Sequence, residues 1–228
     1  MTTTLTWLGH GSWSIKSGQD TILLDPFLND SPTAPVKADE VDATVILVSH
    51  GHFDHIADVA EIAKRTGAQV IAMVEVAEWL KANQDVTDPV GMNLGGTFEL
   101  RCGSVKMTMA HHSSSMPDGS YGGSPAGFIL TVPEGNIYFA CDTALFGDMA
   151  LIGKAGIDLA ILPIGDHYTM GVDDAVQAVQ LIRPKQVAPA HYNTWPPIAQ
   201  DAQAWAAKVA EQTDATPIVI EPGGEISL

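Results

Sequence analysis

The stretch Ser49-His50-Gly51-His52-Phe53-Asp54-His55 has the form H-x-H-x-D-H and packs three imidazoles and one carboxylate into six residues. Imidazole plus carboxylate is the usual ligand set of zinc. If the backbone runs on extended from a strand, residues two apart point to one side, so His50 and His52 can grip one cation. Asp54 and His55 come where a helix begins at Ile56. The chain turns there, and these two can address a second cation nearby. Asp54 also supplies the negative charge that a helix N-terminus favours. The competing account is a histidine-rich loop without metal. Six consecutive residues cannot close two coordination spheres, so distant completers are needed. His112, Asp142 and His191 are the candidates, and Asp142 is the choice for a carboxylate bridging two ions. Taken singly, each is equally a hydrogen-bonded side chain at a strand end.

The elements that must position these groups are legible as short runs. Strands are expected at Thr4–Leu8, Ser12–Lys16, Thr21–Leu24, Thr44–Val48, Gln69–Val74, Thr97–Arg101, Val105–Ala110, Gly127–Val132, Asn136–Cys141, Leu159–Pro163, Gln186–Pro189 and Pro217–Ile220. The early ones read as an antiparallel meander, and the later ones alternate with helices. Three helices carry an apolar stripe. The first runs through Ile56, Val59, Ala60 and Ala63, with Gly67 as its stop. The second runs through Ala175, Ala178, Val179 and Ile182, capped by Asp173 or Asp174 and ended by Pro184. The third runs through Ala202, Trp205, Ala206 and Val209. One apolar side per helix calls for a sheet beneath it, hence a layered α/β fold with helices outside. All eight histidines (His10, His50, His52, His55, His111, His112, His167 and His191) fall just beyond a predicted strand, as do Asp25 and Asp142. Open α/β sheets place their ligands at such strand ends. The loops expected are 29–35 and 113–125, the second long and mobile.

The chain has 228 residues, 11 Lys+Arg against 27 Asp+Glu, and a formal charge of −16. Its 46 % hydrophobic content excludes a disordered chain. Acidity argues against nucleic acid, whose phosphates are bound through Lys and Arg, and against anionic membrane surfaces. No apolar run reaches the roughly 20 residues of a membrane-spanning helix, and no basic leader precedes the first strand. Two cysteines, Cys102 and Cys141, are too few for a disulfide scaffold, so a reducing cytoplasm is expected. One domain is expected over 1–228, with a homo-oligomer left open.

With these residues in place, the sequence resembles the metallo-β-lactamase superfamily. The signature is His50-x-His52-x-Asp54-His55, a later lone His, an Asp and a last His. It is similar in particular to a poorly characterised branch of metal-dependent hydrolases. That likeness rests on Trp7-Leu8-Gly9-His10, Leu24-Asp25-Pro26, His112-Ser113-Ser114, Cys141-Asp142-Thr143, Pro163-Ile164-Gly165-Asp166 with Thr169-Met170-Gly171, and Pro189-Ala190-His191-Tyr192-Asn193-Thr194. The resemblance implies a four-layer αββα sandwich with metals at one edge of the two sheets. It implies that His50, His52 and His112 hold one metal, that Asp54, His55 and His191 hold the other, and that Asp142 bridges. A one-residue slip in register would exchange His112 for His111. Asp25 matches an upstream Asp that orients a ligand imidazole. Positions 111 and 167 depart from the pattern, and both histidines are read as incidental.

The chemistry expected is hydrolysis by a hydroxide shared between two divalent ions, zinc first, with manganese, iron or nickel as alternatives. The substrate is a small ester, lactone, thioester or phosphodiester. Asp54 and His10 are the candidate catalytic side chains. His10 either donates a hydrogen bond to the oxyanion or leaving group, or is structural. Asp166 orients a ligand or contacts substrate, and Trp195 lines the pocket or packs. Cys141 is read as structural on a buried strand. Rival functions are a non-catalytic metal-binding or regulatory protein, a nuclease of the superfamily, and a di-iron oxygen reductase, the last disfavoured because its cluster usually carries Glu where His52 stands.

Overall fold

A computed structural model describes residues 2–228. In the first half of the chain the elements are β1 (Thr4–Trp7), β2 (Trp13–Ser17), β3 (Asp20–Leu24), β4 (Val45–Val48), α1 (Phe53–Ile56), α2 (Val59–Thr66), β5 (Gln69–Met73), α3 (Val74–Gln84) and β6 (Val90–Met92). In the second half they are β7 (Thr97–Leu100), β8 (Gly103–Met109), β9 (Ala126–Val132), β10 (Gly135–Phe139), α4 (Met149–Gly153), β11 (Leu159–Pro163), α5 (Val172–Ile182), β12 (Gln186–Ala190), α6 (Ala202–Gln212), β13 (Thr216–Pro217) and β14 (Glu225–Ser227).

The strands form two seven-stranded sheets, ordered β14-β1-β2-β3-β4-β5-β6 and β13-β12-β11-β10-β9-β8-β7. Each sheet is antiparallel on one side and parallel on the other. The pairs from β14 to β3 are antiparallel and those from β3 to β6 parallel. In the other sheet the pairs from β13 to β10 are parallel and those from β10 to β7 antiparallel. The inner parallel strands are apolar throughout, because both of their faces are covered. β4 (Val-Ile-Leu-Val) and β11 (Leu-Ala-Ile-Leu-Pro) are buried at every position. The sheets meet face to face, with the Trp13 ring of β2 lying 6.5 Å from the Phe139 ring of β10. Helices α2 and α3 pack on β5, α6 packs on β13, and α5 lies between α4 and α6. This is the expected αββα layering, and its buried apolar side chains form one continuous cluster.

Local chemistry sets the element ends. Gly67, at φ +72°, stops α2 with its N–H on the Ala63 carbonyl. Asp201 caps α6 by accepting from the Gln203 and Ala204 N–H groups, each at 3.0 Å.

Several expectations are corrected. The first helix breaks at Ala57–Asp58, and Ile56 belongs to the short α1. The break frees Asp58, whose Oδ2 accepts from the Leu28 and Asn29 N–H groups and so anchors the loop after Asp25. Asp173 and Asp174 do not cap α5; they lie in its first turn, and Gly171 occupies the cap. Val74 opens α3 instead of closing a strand. The expected strand at 217–220 shrinks to Thr216–Pro217. Helices α3 and α4 and strands β6 and β14 were not anticipated. Segment 113–125 is long, but it is tied down: Ser114 Oγ donates to the Gly122 carbonyl and accepts from Gly51 N–H.

Candidate metal centre

The strand ends of both sheets supply one rim. From the first sheet come His10 after β1, Asp25 after β3, and His50 and His52 after β4, with Asp54 and His55 on α1. From the second come His112 after β8, Asp142 after β10 and His191 after β12. Among the described residues ten non-glycines have positive φ, and seven of them (His10, Asp25, Cys141, Asp166, His167, His191 and Asn193) lie just beyond strands on this side. Left-handed backbone costs an ordinary residue roughly 1–3 kcal/mol and persists where the surroundings over-determine it, often at functional sites.

The side chains converge in two groups. The nitrogens of His50, His52 and His112 lie within 4.8 Å of one another, and so do the ligating atoms of His10, Asp54, His55 and His191. His52 Nδ1 stands 2.9 Å from His50 Nε2 and 3.3 Å from His112 Nε2. Asp142 Oδ2 spans both groups, at 3.0 Å from His191 Nε2, 3.4 Å from His55 Nε2 and 3.6 Å from His112 Nε2. Asp54 Oδ2 is 3.8 Å from both His55 Nε2 and His191 Nε2. Two ligand atoms on one tetrahedral zinc sit roughly 3.3 Å apart, given bonds of about 2.0 Å. The buried His55 Nε2 and both ring nitrogens of His191 make no hydrogen bond within the protein. Buried polar atoms are ordinarily paired. Buried nitrogens without a partner, at these separations from carboxylates and one another, fit divalent cations.

Around these donors a ring of supporting hydrogen bonds fixes orientation. Asp25 is fully buried. Its Oδ1 accepts from Ser49 N–H at 2.7 Å, and its Oδ2 takes both the Ser49 hydroxyl at 2.5 Å and His55 Nδ1 at 2.8 Å. The Ser49 oxygen then lies 2.9 Å from His50 Nδ1 and can accept from it. One carboxylate therefore sets the tautomer of His55 directly and that of His50 through Ser49, leaving both Nε2 lone pairs for a metal. Gly11 makes room for His55, and Gly51 for the 113–125 segment. A Cβ at Gly11 would stand 3.0 Å from His55 Cε1, and one at Gly51 would stand 2.5 Å from Met116 Sδ and 3.0 Å from the Ser115 carbonyl oxygen.

His10 lies between Asp54 and Thr194. It is fully buried, with Nε2 3.0 Å from Asp54 Oδ2 and Nδ1 2.8 Å from Thr194 Oγ1. Both nitrogens are engaged, so the ring holds the Asp54 carboxylate in place. His111 stands outside both groups, its ring stacked on Phe146 at 4.6 Å. Asp166 and His167 also stand apart, exposed on a turn. Cys141 lies beyond the end of β10 at φ +53°, not on the strand. Burial, reinforced by the Asp25 and Asp142 carboxylates, pushes its thiol well above the ordinary range. It stays protonated and is no nucleophile. Composition and periodicity gave no role to Ser49, Thr194 or Phe53. A hydroxyl next to a ligand histidine is the one signal that could have found Ser49.

The charge pattern follows from burial and neighbours. Burial drives His10 down to about 4, with His191 adding to the effect, so it is a neutral brace. Burial and the neighbouring His55 hold His50 well below its usual value. For His191, burial is outweighed by Asp142 and Asp54, which raise it to about 9. For His55 it is outweighed by Asp142, Asp54 and Asp25. Asp142 and Asp54 resist burial and stay well below the usual carboxylate range, chiefly through His191 and His55 respectively. The donor set is thus anionic at both carboxylates, as cation ligands must be.

Above the donors opens a cleft of about 670 Å³, reached by His52, Asp54, His112, Asp142 and His191 and walled by Phe53, Met116, Tyr168 and Trp195. Trp195 therefore lines the cleft. Among the described residues no helix is long and apolar enough to cross a membrane.

Comparison with known proteins agrees with this geometry. Residues 20–192 match the family model described as a beta-lactamase superfamily domain. A UPF0173 metal-dependent hydrolase of Thermus thermophilus is 47 % identical over 206 residues, covering 90 % of this chain and 91 % of that protein. Another, from Thermococcus kodakarensis, is 43 % identical, with 97 % and 98 % covered. Among solved structures, Igni18, described as a novel metallo hydrolase of the archaeon Ignicoccus hospitalis, superposes with a TM-score of 0.89 at 33 % identity, covering 100 % of this chain and 99 % of that one. Two facing mixed sheets, a histidine–aspartate rim and these relatives lead to one conclusion: the chain belongs to the β-lactamase superfamily and is a metal-dependent hydrolase of the UPF0173 group.

Proposed function

We propose that this hydrolase works with two divalent cations, zinc first, on a small ester, lactone, thioester or phosphodiester. His50, His52 and His112 would hold one ion, Asp54, His55 and His191 the other, and Asp142 both. The observation that carries this is Asp142, whose Oδ2 stands 3.0–3.6 Å from nitrogens of His191, His55 and His112, drawn from the two groups. When bound, such cations supply an acidified water that yields hydroxide near neutral pH and a Lewis acid for the scissile oxygen.

The protein's own residues do the rest. Asp54 and Asp142 stay ionised under the neighbouring imidazoles. His10 holds the Asp54 carboxylate by donating from Nε2, and Thr194 fixes His10. Asp25 and Ser49 keep His50 and His55 in the Nε2 lone-pair form. The 670 Å³ cleft brings a small molecule against this floor, with no serine or cysteine nucleophile needed. The two cysteines are unpaired, which supports a reducing cytoplasmic setting.

Metal analysis of the purified protein tests this. Two ions per chain are expected, with fewer in Asp142→Asn and hydrolysis of model esters lost alongside. Less than one tightly bound ion, and no activation by zinc, manganese or nickel, would sink the proposal. Full metal occupancy with no turnover across esters and phosphodiesters would favour a metal-binding regulator instead.

A further inference from the structure

Three aromatic rings stand exposed among the described residues: Phe53 (57 %), Tyr168 (54 %) and Tyr121. Two of them, Phe53 and Tyr168, line the cleft above the metal ligands. Phe53 lies between His52 and Asp54, so the ligand loop dictates its place. Its ring meets the buried Phe27 edge-on, with centroids 5.8 Å apart at 84°, and Trp195 lies 6.1 Å from Phe53 and 6.0 Å from Phe27. The three rings pack against one another, and the open face of Phe53 is an apolar shelf. Tyr168 reaches the same cleft from a turn in which Asp166 and His167 both take left-handed backbone, at φ +59° and +48°. The charged side chains in the lining, apart from imidazoles, are Asp54 and Asp142, both assigned to cations. None of the 11 lysines and arginines reaches the cleft. The metals can answer one developing oxyanion at the scissile group. A further negative charge on the substrate, away from the cations, would find no lysine or arginine in the lining.

We infer that the cleft selects an uncharged carboxylic ester or lactone whose flat apolar group, an aryl ring above all, rests on Phe53 and Trp195, and that it disfavours anionic phosphodiesters. This rests on the hydrolase reading above and narrows its substrate class. The reaction adds one water across the acyl C–O bond and releases a carboxylic acid and an alcohol or phenol.

Binding and turnover are measured separately on the metal-loaded protein. Calorimetry compares an aryl methyl ketone, which cannot be hydrolysed, with the same ring bearing a para-carboxylate. Kinetics compares the matching aryl acetates and a bis-aryl phosphate. The neutral ketone and the neutral ester are expected to win in each series. Phe53→Ala is expected to weaken the aryl ketone by roughly 3–10-fold, the worth of one aromatic contact. Phe53→Leu and Trp195→Ala give the same direction if the alanine disturbs the ligand loop. Equal binding of the carboxylated ketone, or indifference to all three variants, would overturn the inference while leaving the hydrolase standing. A neutral ketone bound through Phe53, with no ester cleaved, would support the shelf and remove the hydrolytic reading.

Discussion

Replacing Asp25 by Asn changes one oxygen to an NH2 group and should loosen metal binding through two histidines, His55 directly and His50 through Ser49. Asp25 Oδ1 accepts the Ser49 N–H, so the amide must keep its oxygen there. The new NH2 then faces Ser49 Oγ and His55 Nδ1, where Oδ2 accepted at 2.5 and 2.8 Å. Two donors cannot face each other. His55 therefore moves its proton to Nε2, the atom aimed at Asp142 and Asp54. The Ser49 hydroxyl, denied its acceptor, turns its proton toward His50 Nδ1, 2.9 Å away, and His50 flips likewise. Loss of one such supporting partner costs about 10–100-fold in metal affinity, or roughly 1.4–2.8 kcal/mol. Two coupled flips place Asp25→Asn at the upper end of that range. A chromophoric chelator titrated against wild type and variant gives the affinities, and long-range 15N spectra of the imidazoles give the tautomers. Thermal melts check the fold. Metal affinity within twofold of wild type, with His50 and His55 tautomers unchanged, would refute the relay.

Other predictions are shorter. Thr194→Val removes the hydroxyl beside His10 Nδ1 and leaves a buried acceptor unpaired, costing about 1–3 kcal/mol of stability in urea unfolding. His10→Ala frees Asp54 and should lower metal affinity measurably; full retention would mean that His10 does not brace the carboxylate. Gly51→Ala meets the Ser115 carbonyl as well as Met116, so the 113–125 loop must shift; KM should change while metal content holds. Burial, with a contribution from Asp20, pushes the Cys102 thiol up to about 11, so between pH 9 and 11 the unfolded chain loses a proton that the native one keeps. Stability is complete below 9 and falls as pH rises through 11. The urea midpoint of wild type should drop more steeply over that window than that of Cys102→Ala.

Much of this architecture is written in local residue patterns. Apolar runs such as Val45–Val48 and Leu159–Pro163 mark the inner strands, and the histidines follow them closely enough to reveal a shared rim. Less visible was α3, because it follows β5 with no loop between them and Val74 continues the apolar run of that strand, which hides the stripe of Val76, Ala77 and Leu80. Strands β6 and β14 are only three residues long and half-exposed, too short for an alternating pattern. The roles of His10 and Ser49 depend on contacts across 184 and 24 residues of sequence, and spacing carries no information about such partners. His111 and His112 are neighbours in the chain. What separates them is Phe146, which takes the first ring and leaves the second to the cluster.

The rim joins two leaves, the two sheets, between which apolar packing and hydrogen bonds such as Cys102 N–H to Asp20 also run. His50, His52, Asp54 and His55 hang from one leaf, and His112, Asp142 and His191 from the other, with residues 93–96 as a spine between β6 and β7 and β14 returning to the first leaf. Bound ions would therefore act as a clasp as well as a reagent. A chain nicked at that spine would hold an incomplete set of ligands on each fragment, and turnover would return only when the two pieces closed on each other like a book.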